Sequence, residues 1–143
     1  MKLHIGRLTK TVSSIVLFCY ILFVYSRTVL FRKTATGHIY NFQPLWSYEA
    51  IANGRESLIL EHILNILLFM PIGFMAGVVF ESKRWWKVIL LGLGISVSIE
   101  AMQYYFKKGF AELDDVMHNT IGCLLGFLLF LVVNKIVNKS FKK

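Results

Sequence analysis

The chain has 143 residues, enough for one domain, and 56% of them are hydrophobic. This apolar content, with a mean hydropathy of +0.59, exceeds that of an ordinary soluble domain. The net charge is +8 at pH 7, but the basic residues gather at the ends of apolar segments, which argues against a nucleic-acid partner. The composition therefore predicts a membrane protein.

The first apolar segment, residues 11–31, follows several basic residues and resembles a signal peptide. The stretch "FVYSRTVLF" carries bulky side chains where a cleavage site needs small ones, so we expect an uncleaved helix. Three further segments approach the roughly 20 apolar residues that cross a bilayer as a helix. The four predicted spans are residues 11–31, 58–80, 86–106 and 113–133. We predict one all-α domain over residues 1–143, an integral membrane four-helix bundle.

The connection after the first span is the only long one. Within it, "LWSYEAIA" can form a short interfacial helix after Pro44 that ends at Asn53-Gly54, and an ordinary surface loop is the alternative. Ten basic residues lie in the two termini and the 81–87 loop, against six in the other two connections. This asymmetry predicts that both termini are cytoplasmic.

Small residues four apart recur along the later spans, and such pairs let transmembrane helices approach closely. The pairs expected to pack helices together are Gly73 with Gly77 and Gly122 with Gly126. They also permit a homo-oligomer. Cys19 and Cys123 both fall inside spans, so no disulfide, thiol metal site or cofactor is predicted.

Polar and ionisable residues gather at one end of the predicted bundle. Because consecutive helices run in opposite directions, the ends of the first and third spans meet the starts of the second and fourth. Charged groups in a membrane are costly without partners, so these residues should face one another, and Arg27 is the expected partner of Glu100 or Asp115. The full set is Arg27, Glu61, His62, Asn65, Glu100, Gln103, Asp114, Asp115, His118 and Asn119.

This set admits several interpretations. The polar groups could simply lock the bundle together through interhelical hydrogen bonds. His62, His118 and the carboxylates could bind a metal, although no known ligand spacing is present. His118 could instead act as a general base that a neighbouring carboxylate holds in one tautomer. No serine or cysteine nucleophile accompanies the set, so a hydrolase would have to use water.

Four motifs in order along residues 40–126 resemble those of the VanZ-like family, which is named after a teicoplanin-resistance protein. They are "YNFQPLW", "HILNILLFMPIGFMAG", "SVSIEAMQYYF" and "LDDVMHNTIGCLLG". Two departures from the family pattern are Leu45 where relatives often have phenylalanine, and the lack of an arginine directly before the acidic pair. The matching positions are Asn41, Pro44, Asn65, Phe69, Pro71, Gly73, Ser98, Glu100, Gln103, Asp114, Asp115, Asn119, Gly122 and Gly126.

The resemblance implies an envelope protein of the bacterial cytoplasmic membrane with a link to teicoplanin-type antibiotic resistance. Together with the polar set, it favours a protein that binds an envelope amphiphile or a lipid-bearing glycopeptide on the outer side. The expected partner is a membrane lipid or a lipid-linked envelope molecule. The alternative is a membrane enzyme that acts on a lipid-linked envelope precursor through an Asp/His/Glu acid–base site.

Overall fold

The computed structural model describes residues 6–37, 39–80 and 84–140. Within these ranges four helices are long and apolar enough to cross a membrane, which confirms the predicted all-α membrane bundle. Lys2 and the residues of the 81–83 and 141–143 segments, which entered the charge count, lie outside the described residues. In chain order the elements are α1 (Arg7–Tyr25), a π-helical segment (Ser26–Leu30), β1 (Tyr40–Asn41), α2 (Trp46–Ala52), α3 (Ser57–Phe80), α4 (Trp85–Phe106), β2 (Ala111–Glu112) and α5 (Leu113–Ser140).

The span boundaries agree with the sequence at most ends and differ at two. Helix α1 begins at Arg7 rather than at residue 11, and α5 continues to Ser140 rather than ending near residue 133. At 28 residues, α5 is about 42 Å long, which exceeds the roughly 30 Å of a hydrocarbon core. Hydropathy marks where the apolar stretch ends, but the backbone remains helical beyond it.

The tightest contact in the bundle is between α3 and α5, where backbone meets backbone at glycine. A Cβ atom on Gly122 would overlap the carbonyl of Ile66, and one on Gly126 would overlap the carbonyl of Met70. Gly122 and Gly126 are one helical turn apart, so the two contacts stack along a single seam. Any side chain at either position would force the two helices apart.

Cys123 lies where α3, α4 and α5 meet. Its backbone carbonyl occupies the space in which a Cβ on Gly73 would stand, and its side chain lies 2.7 Å from a Cβ placed on Gly92. The thiol donates a hydrogen bond to the carbonyl of Val88 at 3.4 Å. Fully buried and enclosed by glycines from two helices, this cysteine acts as a small core residue.

Aromatic side chains fill the bundle toward the other end of the α3–α5 seam. The ring of Phe130 covers Gly77, and it packs against Phe127 and, edge to face, against Phe74. The rest of the buried apolar core joins α1, α3 and α4 to this group. Its members include Val24, Val29, Phe69, Ile72, Ala76, Val88, Ile95 and Ile99.

Helix α1 is attached to its neighbours by two tyrosine hydroxyl groups. Tyr20 donates to the carbonyl of Leu68 at 3.0 Å, in the turn of α3 that precedes Pro71. Since proline has no N–H, it interrupts the backbone hydrogen bonding of this turn. One turn further along α1, the hydroxyl of Tyr25 is hydrogen bonded to that of Ser98 on α4.

The connections at the polar end pair with each other, which the sequence did not predict. Strands β1 and β2 form a two-residue parallel ladder. Beside it, Thr34 and Lys108 form an antiparallel bridge, and the amide of Ala35 donates to the carbonyl of Lys107 at 2.7 Å. The chain that leaves α1 is therefore held against the chain that joins α4 to α5.

We expect Gly126→Ala to lower the free energy of unfolding by about 1–3 kcal/mol, the usual cost of overpacking. Gly94 is the matched control, because a Cβ there meets nothing within 4 Å; Gly94→Ala should be neutral or slightly stabilising in a helix. Thermal unfolding of the purified protein in detergent would compare the two. Equal unfolding midpoints for both variants would show that the α3–α5 seam tolerates extra volume.

Candidate functional site

Asp114, in the first turn of α5, supplies the hydrogen bonds that cap the short helix α2. Its carboxylate accepts the backbone N–H of Leu45 at 2.7 Å and that of Ser47 at 2.9 Å, together with the Ser47 hydroxyl at 2.5 Å. Leu45, the residue that precedes α2, has a left-handed φ of 61° and offers no capping side chain. An acceptor at a helix N-terminus satisfies free N–H groups and complements the helix dipole. Asp114 therefore fastens α2 across the end of the bundle.

Docked in this way, α2 brings Tyr48 onto a pair of histidine rings. The hydroxyl of Tyr48 is hydrogen bonded to Nε2 of His118 at 2.9 Å. The ring of buried His118 stacks on that of half-buried His62, with 3.9 Å between centroids and 20° between planes. Like charges repel at this separation, so the stack is favourable only while at least one ring is neutral.

Three carboxylates from different elements lie close enough for their charges to act on one another. Glu100 accepts the backbone N–H of Glu112 at 2.8 Å, while the Glu112 side chain accepts the indole N–H of Trp46 at 3.1 Å. Asp115 accepts the side-chain amide of Asn65 at 2.7 Å. The negative charge of Asp115 acts on both glutamates. We call Glu100, Glu112 and Asp115 the carboxylate group.

Glu112 lies in the connection before α5 and is only 7% exposed. Burial raises the pKa of its carboxyl from the ordinary 4.5 to about 8, and the nearby charge of Asp115 adds to the increase. The hydrogen bond from Trp46 lowers the pKa but does not offset these effects. Glu112 is therefore largely protonated at neutral pH.

The cation that faces the carboxylate group is Arg32, not Arg27. The charge of Arg32 acts on Glu100 and on Asp115, and its side chain lies 2.7 Å from a Cβ placed on Gly109. Arg27 is exposed on the π-helical segment. The predicted pairing of Arg27 with these acids is therefore not what the described residues show, since the cation whose charge acts on them is Arg32.

Two buried amides also belong to the site. The side-chain nitrogen of Asn119 donates to the hydroxyl of Ser96 at 2.8 Å, and that of Gln103 donates to the carbonyl of Thr28 at 3.0 Å. Among the described residues, no hydrogen-bond donor reaches the other atom of either amide, Oε1 of Gln103 or Oδ1 of Asn119. Buried polar atoms are normally paired, so these two oxygens can accept hydrogen bonds from a ligand.

Three of the residues predicted for the site lie at its edge. The side chain of Asn41 accepts the backbone N–H of Gln43 at 2.9 Å and so shapes its own loop. Pro44 is exposed and immediately precedes the residue that Asp114 holds. Glu61 is exposed at the start of α3, where its charge acts on Asp115.

The structure adds residues that the sequence did not single out for the site. The helix predicted after Pro44 is interfacial, which gives its aromatic residues no role in the site, and the serines have no distinguishing pattern. Glu112 had one usable signal, its position two residues before the acidic pair Asp114–Asp115. The added residues are Arg32, Trp46, Ser47, Tyr48, Ser96 and Glu112.

A metal site was one interpretation of the histidines and carboxylates. In the described part of the chain, no group of three or more His, Cys, Asp or Glu side chains is arranged to hold a metal ion. His62 and His118 stack ring on ring, whereas metal ligands direct their nitrogens at a common point. What the geometry offers is hydrogen-bonding and acid–base groups.

The fold and the site together define a multi-pass helical membrane protein. Its polar cluster, which consists of the carboxylate group, the histidine pair and the amides of Gln103 and Asn119, lies at one end of the bundle beneath the short docked helix α2. The sequence model of the VanZ/LLP1 family matches residues 11–134, so the chain belongs to this family. Protein VanZ of Enterococcus faecium is 32% identical over 96 residues, which cover 67% of this chain and 56% of that protein. The match thus spans little more than half of this relative. No solved structure matches the chain.

We expect Asp114→Asn to loosen α2 and to destabilise the protein by about 1–3 kcal/mol, because buried N–H groups would then face an amide instead of a carboxylate. Ser47→Ala removes a single hydrogen bond and should cost less. Thermal unfolding and hydrogen exchange over residues 45–52 would measure both effects. The exposed Glu49 provides a matched control, since Glu49→Gln on the same helix should change little. Unaltered exchange in Asp114→Asn would contradict the capping role.

The pKa of Glu112 predicts how stability depends on pH. Since its folded-state pKa of about 8 lies above the ordinary 4.5, the folded protein holds this proton more tightly than the unfolded chain. The contribution of this proton to the free energy of unfolding is complete below pH 4.5 and is lost as the pH rises toward about 8. Glu112→Gln stays neutral, so the wild type should lose stability relative to this variant across that range. The measurement is the unfolding midpoint of both proteins as a function of pH. A constant difference between the two midpoints from pH 4.5 to about 8 would rule out a raised pKa of Glu112.

Proposed function

We propose that this protein binds an envelope amphiphile on the outer side of the bacterial cytoplasmic membrane. The observation that carries the proposal is the pair of buried, unpartnered amide oxygens on Gln103 and Asn119. A buried acceptor without a donor costs free energy, and a ligand hydroxyl or N–H could recover it. The polar part of the amphiphile would enter the polar cluster, and its apolar part would lie along the helices.

The orientation that we propose follows from charge. Ten basic residues lie in the termini and the 81–87 loop, against six at the end that holds the polar cluster. Basic residues favour the cytoplasmic side. Both termini are then cytoplasmic, and the polar cluster opens toward the outer leaflet.

The link to antibiotic resistance is also part of the proposal. The relative from Enterococcus faecium is named Protein VanZ, and the family takes its name from a teicoplanin-resistance protein. Teicoplanin is a lipid-bearing glycopeptide, so it belongs to the class of amphiphile proposed here. A lipid-linked envelope molecule is the other ligand that fits this class.

Catalysis on a lipid-linked envelope precursor is the second candidate, and the contact between Tyr48 and Nε2 of His118 favours it. A histidine with a hydroxyl at 2.9 Å has the geometry of an acid–base pair. Against this, Asp114 already accepts three hydrogen bonds, and the Ser47 hydroxyl is one of their donors. The carboxylate of Asp114 is therefore engaged with α2, and the buried amide oxygens that lack a donor make binding the better supported function.

Reconstitution into nanodiscs with lipids from the native membrane, followed by mass spectrometry of the bound molecules, tests this proposal. Wild type should retain a specific amphiphile, which Gln103→Met, Asp115→Asn and Glu100→Gln should lose while they remain folded. Gln103→Met keeps the side-chain volume but removes the amide. Gln43→Met makes the same change on an exposed loop and should behave as wild type.

Retention of the same amphiphile by all of these variants would exclude the polar cluster as its binding site. If wild type instead converts an added precursor and releases a new product, the enzyme alternative replaces the binding function.

A further inference from the structure

An apolar groove opens between the end of α1 and the end of α4, on the side of the bundle next to the polar cluster. Its volume is about 570 Å³, within the roughly 300–1,000 Å³ that is typical of ligand sites. Lys108 contributes the one charged side chain among its lining residues. The remaining lining residues are Leu22, Tyr25, Val29, Leu30, Met102 and Phe106.

The π-helical segment forms one wall of this groove. A π turn inserts an extra residue into a helix and is frequent at functional sites. Here Val29 and Leu30 line the groove, and the amide of Gln103 holds the neighbouring carbonyl of Thr28. Tyr25, one turn earlier, is fixed by its hydrogen bond across to α4. The wall is therefore held in place at two levels.

Lys108 is positioned at this groove by its backbone. Its N–H donates to the carbonyl of Gln103 at 2.8 Å, and the residue bridges to Thr34. No ion pair of Lys108 occurs within the described ranges, whereas Arg32 faces the carboxylates of Glu100 and Asp115. The ammonium group of Lys108 is thus available to an anion from outside the protein.

We propose that the groove binds a phospholipid of net negative charge, with a hydrocarbon chain between α1 and α4 and its phosphate at Lys108. This inference rests on the proposed amphiphile binding and specifies the class of amphiphile. The apolar lining excludes a polar chain, and the ammonium favours a phosphate at the headgroup level. Gln103 connects this groove to the polar cluster, because its amide contacts the groove wall while its unpartnered oxygen remains buried.

The test is native mass spectrometry of protein exchanged into an equal mixture of dioleoyl phosphatidylglycerol and dioleoyl phosphatidylcholine. Wild type should retain the anionic lipid in preference, and Lys108→Gln should reduce that preference about fivefold. Lys108→Arg should preserve it. Arg27→Gln is the matched control, since it removes a cation from the same end of the bundle but outside the groove lining.

A second pair of variants tests the groove itself. Met102→Trp should fill it and reduce the number of lipids retained, whereas Val97→Trp, at an exposed position of α4 outside the lining, should not. Since the backbone of Lys108 makes its structural contacts, Lys108→Gln should unfold at the wild-type temperature.

Equal retention of the two lipids by wild type would overturn the inference. An equal loss of the preference for the anionic lipid in Lys108→Gln and Arg27→Gln would also overturn it, because surface charge alone would then explain the preference. If a native amphiphile is still retained in either case, and Gln103→Met releases it, the proposed function stands and only the anionic class is wrong. If wild type retains no amphiphile from any source, both fail.

Discussion

The hydrogen bonds that Asp114 accepts from α2 are the interaction on which the rest of the site depends. Helix α2 has seven residues, too few to be stable alone in water. It lacks a capping side chain of its own, and a carboxylate from α5 takes that role. By fixing the start of α2, Asp114 determines where Trp46 and Tyr48 lie, so one buried charge organises the contacts to Glu112 and His118.

The close approach of α3 and α5 is the second constraint, and it explains why polar groups of these two helices meet. Gly122 lets the backbones touch at Ile66, directly below the polar end. At this separation Asn65 reaches Asp115, and the ring of His62 stacks on that of His118. The glycine seam and the polar cluster are therefore parts of one arrangement, since a wider spacing would leave these side chains without partners.

Burial of several acidic groups near a membrane would be unfavourable without compensation. The structure compensates three of them in different ways. Asp114 is saturated by three donors, Asp115 is held by an amide and faces Arg32, and Glu112 keeps its proton at neutral pH. The amide oxygens of Gln103 and Asn119 lack such compensation within the described chain. The groups that have hydrogen-bond partners or a proton form the structural part of the site, and the two amide oxygens without a donor form the part that is open to a ligand.

The sequence by itself determined the four spans and the end of the bundle where polar residues collect, whereas the tertiary structure decided between a short helix and a loop after the first span. Long apolar runs can cross a membrane only with their backbone hydrogen bonds satisfied, and alternation of helix direction then places the polar ends together. Tertiary structure alone decided which groups pair: Arg32 instead of Arg27 near the acids, Asp114 as a cap, and Glu112 as a buried acid. These outcomes depend on how two connections fold over the bundle, and periodicity carries no information about contacts between segments so distant in the chain.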